Sequence, residues 1–351
     1  MKRSLIFTLC LLAASFALPL AIFSSRVDAL PPQETTASSG NPAASVSASE
    51  PPGASDAPVH TTDAIQEPET ASRIAVLVDG VETQMTLDEA VAAIVAAEMP
   101  ALYPAEALKA QAIAARTYIC YRAAHPVSAH EAAVLCDNPA HCCALADLNA
   151  LAAGWGEQGQ TYADRIRNAV SDTSGQILTY GGEPIMAVFH AMSGRTTNSS
   201  ADVWGGEVPY LVSVDAPAGE SALTGWRNAV VFDCAEFRQM FCSRHPSAVL
   251  TDGSDWFTDA VCTAGGLVQT IRVGGVTVTG GELRALCGLR SASFTVTQGA
   301  GRIRFETEGY GHGVGMSQNG AKVMAADGHS AAAILSHYYP GTKLESLPAQ
   351  Q

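Results

Sequence analysis

"TLDEAVAAIVAAEMPALYPAEALKAQAIAARTYICYR", residues 86–122, decides how the rest of the chain is read. Thr86 and Glu89 have the S/T-x-x-E spacing of a capping box, which starts a helix at Thr86. Leu87, Val91, Ile94, Val95 and Glu98 follow at steps of three or four and share one side, so Glu98 is aimed at the core. Pro100 forbids helical continuation and leaves Glu98 in the last turn, among carbonyls carrying partial negative charge. Burial and that dipole both penalise a carboxylate and favour the acid, which in a cleft is a proton donor. A buried Glu neutralised by a nearby cation fits the same pattern, and periodicity alone does not choose between them. The next helix begins near Pro104 with Leu108, Ala112, Ala115 and Ile119 as its apolar stripe. Lys109 and Arg116 lie seven apart on one side, among Ala105, Ala112, Ile113 and Cys120. Solvated surface charge is the ordinary state of such residues, but neighbours this small and apolar favour two cations facing a cleft.

Around these helices the chain changes character several times. "MKRSLIFTLCLLAASFALPLAIFSS" opens with Lys2 and Arg3, then runs uncharged from Ser4 to Phe23, long enough to cross a hydrocarbon core of about 30 Å. Residues 1–23 read as a signal anchor, with a cleaved signal peptide as the alternative, and the basic flank places the remainder of the chain outside the cytoplasm. Residues 24–72, with "GNPAASVSASEPPGASDAP" at their centre, are too poor in large apolar side chains to offset the entropy of ordering; they make a tether with tens of ångströms of reach. Order is expected from residue 73 to 345, with 346–351 as a tail. A hairpin turning at Asp79-Gly80 comes first, then helices to about residue 124, a Cys/His loop, and a helix through "TYADRIRNAVSDT". Strand patterns come next in "QILTYGGEPIMAVFHAMS", "YLVSVDAP", "AVVFDC", "VQTIRVGGVTVTG" and "ASFTVTQGAGRIRFETEG", and a last helix spans about 317–326. Helices first and strands later imply an α+β fold, of mixed helices and antiparallel-rich sheets in two lobes with a cleft.

The 351 residues carry a formal net charge of -14. That balance, without any block of Lys or Arg, excludes sequence-independent nucleic-acid binding. "FHAMSGRTTNSSADVWGGEVPYLVSV", residues 189–214, joins a strand end to a polar loop holding His190, Ser193 and Arg195, with Trp204 and Tyr210 as aromatic platforms suited to a sugar. "GYGHGVGMSQNGA", residues 309–321, alternates glycine around Tyr310, His312 and Val314. It matches neither nucleotide-binding glycine pattern, and such glycines admit close approach of a ligand or of another strand. "HEAAVLCDNPAHCC", residues 130–143, gathers two imidazoles and three thiols of a nine-cysteine chain. Two Cys and two His would complete a tetrahedral zinc shell, and a disulfide is the competing reading for an exported chain.

"VAAEMPALYPAEALKAQAIAARTY", "FHAMSGRTTNSSADVWGGEVPYLVSV" and "GYGHGVGMSQNGA", in that order, resemble the stage II sporulation protein D family of peptidoglycan lytic transglycosylases, over about residues 72–345. The anchor and tether match as well. The resemblance implies that Glu98 is the catalytic acid, that Lys109 and Arg116 serve activity, and that Ser193, Tyr210, His312 and Gln318 lie near the cleft. It points to His130, Cys136, His141 and Cys142 as ligands of a structural zinc ion, with Cys143 where the family commonly has Gln. It further implies cleavage between N-acetylmuramic acid and N-acetylglucosamine with a 1,6-anhydro product. The setting would be forespore engulfment on the mother-cell membrane, beside a partner amidase and a small membrane protein. This chain departs from the family in having "HAMSGR" for a Ser-rich "HSSSGG", and Val212 where a polar or basic residue is frequent. A zinc-dependent cell-wall amidase and a non-catalytic wall-binding module are the competing functions; two thiolate ligands and the lack of H-E-x-x-H weigh against the first, and Glu98 against the second.

Overall fold

Asp79 and Gly80 both take positive φ, 50° and 78°, the backbone that lets a two-residue turn match the twist of its strands. They join β1 (Arg73–Val78) to β2 (Val81–Thr86) in full antiparallel register. The computed structural model in which this is seen describes residues 73–347, apart from Glu131 and residues 139–141. The predicted anchor and tether, and the candidate ligand His141, lie outside the described residues. Among the described residues no helix is long and apolar enough to cross a membrane.

β2 runs directly into α1 (Leu87–Glu98) through the predicted capping box: the Thr86 hydroxyl accepts from the Glu89 amide at 3.2 Å, and the Glu89 carboxylate accepts from the Thr86 amide at 2.7 Å. Met99 turns extended ahead of Pro100 and ends the helix where the proline rule requires. α2 (Ala105–Ala124) starts one residue after Pro104, which caps it. An extended segment then contributes β3 (Leu135–Cys136), parallel to β1, before α3 (Leu148–Gly154) and α4 (Gly159–Asp172). β4 (Gln176–Tyr180) and β5 (Glu183–Pro184) form a second hairpin, followed by β6 (Phe189–His190) and the short α5 (Ser200–Trp204). "YLVSVDAP", expected as a strand, forms none; its Asp215 makes only an isolated bridge to Thr196.

From residue 227 the chain builds β7 (Arg227–Asp233), α6 (Cys234–Arg244), β8 (Phe257–Cys262), β9 (Val268–Val273), β10 (Val276–Thr279), α7 (Gly280–Cys287), β11 (Phe294–Gly299) and β12 (Arg302–Glu308). These make two three-stranded antiparallel sheets, in the orders β10-β9-β8 and β11-β12-β7. The strand alternation is legible in the residues, while α6 and α7 between the strands are not expected from them. β13 (Met316–Ser317) then pairs in parallel with β6, and α8 (Gln318–Ala326), α9 (Ala331–Tyr338) and β14 (Lys343–Ser346) close the described chain, β14 lying on β4. The fold is α+β, as expected.

Two hydrophobic cores result among the described residues. One joins α1, α2, α4, α8 and α9 to β1 and β4; the other is rich in aromatics, with Phe237, Phe241, Trp256, Phe294 and Phe305. α2 is the axis of the first. It is buried on nearly every side from Ala107 to Ile119, packed by α1, α4, α8, α9 and β4, and not on the single stripe read from its periodicity. A helix enclosed all round tolerates a charge only where that charge is hydrogen-bonded, and this decides the fate of Arg116.

Candidate active site

Glu98 ends α1 with its carboxyl group between two neutral donors. Oε1 accepts from the Ala144 amide at 3.1 Å, and Oε2 accepts from the Gln318 Nε2 at 3.1 Å. Among the described residues it forms no ion pair, and its partners are the two neutral donors. Burial raises its pKa above the ordinary carboxyl value, and the Gln318 and Ala144 hydrogen bonds pull it part of the way back. Cys143, fully buried, has its thiol pushed well up by desolvation and by the neighbouring Glu98 charge.

Gln318 reaches Glu98 because of the glycine segment. Gly309, Gly311, Gly313 and Gly315 all take positive φ and lie against residues 188–198. A Cβ on Gly313 would stand 2.3 Å from Asn198 Nδ2, and one on Gly315 2.1 Å from the Val188 carbonyl oxygen. The alternating glycines therefore serve the approach of another chain segment. That seats β13 beside β6, and Ser317 then caps α8, with Gln318 as its first residue. Asn319 fixes the same corner, donating from Nδ2 to the Ala191 carbonyl at 2.8 Å while its Oδ1 accepts from the Tyr103 hydroxyl at 2.9 Å.

The other expected residues fall into separate places. His190 donates from Nδ1 to the Val314 carbonyl at 3.0 Å, which leaves Nε2 to accept from the Ser193 hydroxyl at 3.0 Å. Ser193 is fully buried, so this pair joins segments and offers no accessible nucleophile. Burial pushes His190 down to about 3 and His312 to about 4, so both rings are neutral at pH 7. His312 accepts from the Val314 amide at 3.0 Å, and its ring centroid lies 5.5 Å from that of the half-exposed Trp204. Tyr210 accepts from the Met186 amide at 3.0 Å.

Lys109 and Arg116 depart from expectation. Lys109 pairs with Glu106 at 3.3 Å and Asp172 at 3.0 Å. Arg116 is 0% exposed and faces no cleft: it donates to the Thr173 and Val170 carbonyls at 2.7 and 3.1 Å and to Asp88 Oδ1 at 3.0 Å. It closes the C-terminal end of α4 against the first turn of α1. Asp88 precedes Glu98 by ten residues, about 15 Å along a helix, so Arg116 serves the opposite end of α1. The small neighbours that suggested a cleft are signs of close helix packing.

In the 130–143 segment, the ligand atoms of His130, Cys136 and Cys142 lie within 4.8 Å of one another. His130 donates from Nδ1 to the Ala133 carbonyl at 2.9 Å, which leaves Nε2 with its lone pair 3.1 Å from Cys142 Sγ. An imidazole oriented this way through a carbonyl suits a metal ligand, and the donor set fits a zinc ion. Cys142 is the thiol of the adjacent pair that joins this group; Cys143 is beside Glu98. No disulfide forms among the described residues.

Two contributors to the site had no usable signal in the sequence. The Ala144 amide is placed by the loop fold. Glu220, in an Ala/Gly/Ser-rich loop, is 0% exposed and accepts from the Ser193 amide at 2.7 Å and from the Ser317 hydroxyl.

The chain is similar in sequence to known proteins. A family model described as SpoIID, stage II sporulation protein, matches residues 80–180. Stage II sporulation protein D of Bacillus subtilis (strain 168) is 37% identical over 266 residues, 75% of this chain and 75% of its own. Its namesake in Bacillus amyloliquefaciens is 36% identical over 260 residues, 74% of each chain. A protein named amidase enhancer, also from Bacillus subtilis (strain 168), is 28% identical over 297 residues, 71% of this chain and 39% of its own. The match to the two sporulation proteins over three quarters of both chains makes this chain a member of the stage II sporulation protein D family.

Proposed function

We propose that the protein is a membrane-anchored lytic transglycosylase that cuts the bond between N-acetylmuramic acid and N-acetylglucosamine in peptidoglycan, acting in forespore engulfment. The observation that carries this is Glu98, a desolvated carboxyl group with a raised pKa whose two hydrogen-bond donors are both neutral. Hydrolytic glycosidases work with two carboxyl groups, one to deliver a proton and one to activate water or bond the sugar. A transglycosylase needs one. Glu98 in its acid form protonates the glycosidic oxygen; as a carboxylate it then takes the proton from the muramic O6 hydroxyl as that oxygen closes the anhydro ring. Ala144 and Gln318 each donate to one carboxyl oxygen and so hold the carboxyl group in place. Trp204, beside His312, supplies an exposed aromatic face for a sugar ring.

His130, Cys136 and Cys142 would hold a zinc ion, with His141 as the fourth ligand. Bound there, the ion would cross-link the loop that carries Ala144. Lys109 and Arg116 act through the frame, Arg116 by fixing α1 against α4. The kinship with a protein named amidase enhancer supports a partner that removes stem peptides, and residues 1–23 anchor the assembly in the mother-cell membrane facing the intermembrane space.

Purified glycan strands incubated with the full chain and analysed by mass spectrometry test the reading. Anhydro-muramic ends are expected from wild type and none from Glu98→Ala of unchanged melting temperature. Released stem peptides would show an amidase, unaltered strands a binding module, and an active Glu98→Ala variant would remove Glu98 from the chemistry.

A further inference from the structure

Glu220 lies in a short turn, residues 220–222, that belongs to neither a long helix nor a sheet, yet its side chain is fully buried. Its Oε1 accepts two hydrogen bonds, from the Ser193 amide at 2.7 Å and from the Ser317 hydroxyl. The Ser317 oxygen in turn accepts from the Gly320 amide at 3.0 Å, which caps α8, and from the Ser193 amide at 3.3 Å. The next residue is Gln318, the donor to Glu98. Among the described residues, Glu220 Oε2 and the Tyr338 hydroxyl, both buried, have no hydrogen-bond partner. They meet the same spot: a Cβ on Gly320 would lie 2.7 Å from the first and 2.0 Å from the second. One carboxyl group thus ties together the 193 loop and the cap of α8.

We propose that Glu220 is a positioning residue that fixes the N-terminus of α8, and through it the Gln318 carboxamide, against Glu98. This rests on the reading of Glu98 as the acid. Gln318 is too close to a helix end to be held by helical hydrogen bonds alone, since the first-turn amides have no intrahelical partners. Its side chain is aimed correctly only if the cap is. The groups facing Glu220 are Ser193, Ser317 and Tyr338, and among the described residues no cation is bonded to it. Burial raises it to about 7, so its function there is that of an oxygen acceptor more than of a fixed charge. A glutamine offers the same acceptor oxygen and turns an N–H toward Tyr338.

The test uses the full-length chain labelled with 15N-glutamine, reading the Gln318 side-chain amide by NMR, alongside turnover of purified glycan strands. Glu220→Leu is expected to shift the Gln318 amide signals and speed their hydrogen exchange. It should also lower kcat about 100-fold, the scale expected for misplacing a catalytic group by about 1 Å, with KM changed less than about threefold. Glu220→Gln should restore both readouts to within about threefold of wild type. Adding Gln318→Leu to Glu220→Leu should cost no more than the slower single variant, as for two residues acting through one contact. Gln318 signals unmoved in Glu220→Leu, or losses that multiply in the double variant, would overturn the proposal. If Glu220→Leu fails to fold, the smaller Glu220→Ala, which removes the same acceptor oxygen without adding bulk, must move the Gln318 signals in its place; unmoved signals would overturn the proposal equally. Should wild type leave glycan uncut, the function reading falls while the NMR comparison still decides the positioning.

Discussion

Replacing Gln318 by leucine is the most direct perturbation of the acid. Gln318 supplies one of the two hydrogen bonds to the Glu98 carboxyl group, Nε2 to Oε2 at 3.1 Å. A donor to a carboxylate stabilises the charged form, so its loss raises the pKa further. Hydrogen bonds to charged groups contribute about 1.5–3 kcal/mol. The 3.1 Å length exceeds the roughly 2.7–2.9 Å of strong charge-assisted bonds, which argues for the lower end. At about 1.4 kcal/mol per pKa unit, the shift is about one unit upward. Leucine is preferred to alanine because its bulk keeps out a water molecule that would replace the donor. The assay is kcat against pH on purified glycan strands. Only the protonated acid starts the reaction, so activity falls on the alkaline side as Glu98 ionises. In Gln318→Leu that limb should move about one pH unit higher while the maximal rate drops. A limb that stays in place or moves to lower pH would refute either the assignment of Glu98 as the acid or the contact from Gln318.

Arg116→Met should lower stability by about 3 kcal/mol, because the Thr173 and Val170 carbonyls lose a buried donor while Asp88 remains half exposed. Thermal unfolding should show a drop of about 5 °C for a domain of this size, with kcat per folded molecule little changed. Protein purified without added metal should contain about one zinc per chain by elemental analysis. Cys136→Ser should abolish that content, and a chelator should slow glycan cleavage by freeing the segment that carries Ala144. Glu220 gives a pH-dependent stability of defined sign. Its folded pKa of about 7 lies above the ordinary 4.5, so the folded state holds the proton more tightly, and wild type loses up to about 3 kcal/mol as pH rises from about 4.5 to 7. Glu220→Gln lacks that loss, and its stability advantage in urea unfolding should grow over the same interval.

What could be read from the residues was what adjacent residues decide. The Thr86–Glu89 box, the stop before Pro100, the Asp79-Gly80 turn and the inward face carrying Glu98 are set within a few positions, and all stand in the fold. The glycines at 309–315 announced a close approach without naming what approached, because φ is a local property and the neighbour is not. Arg116 shows the limit most clearly: small flanking residues correctly signalled burial, but whether a buried guanidinium meets a substrate or the carbonyls of α4 depends on a helix about 50 residues away. Glu220 is further out of reach, since a lone carboxyl group in a polar loop has no pattern to distinguish it from any solvated Glu.

The placement of the two donors has a chemical consequence. A residue that is first an acid and then a base works best with its pKa near the operating pH, and burial moves a carboxyl group upward. Ala144 and Gln318 oppose burial by hydrogen-bonding the charged form, yet neither carries a full charge that would hold it permanently ionised. Both come from later in the chain, 46 residues after Glu98 and 220 residues after it. Neither is carried within a helix or strand interior: one stands just after the His/Cys cluster and the other starts α8. Each therefore needs an anchor of its own, and each stands beside one, His130 with Cys136 and Cys142 for the first and Glu220 with Ser317 for the second. Disturbing either anchor should retune the same carboxyl group in the same direction, upward, since each loss removes support for the carboxylate and leaves its burial in place.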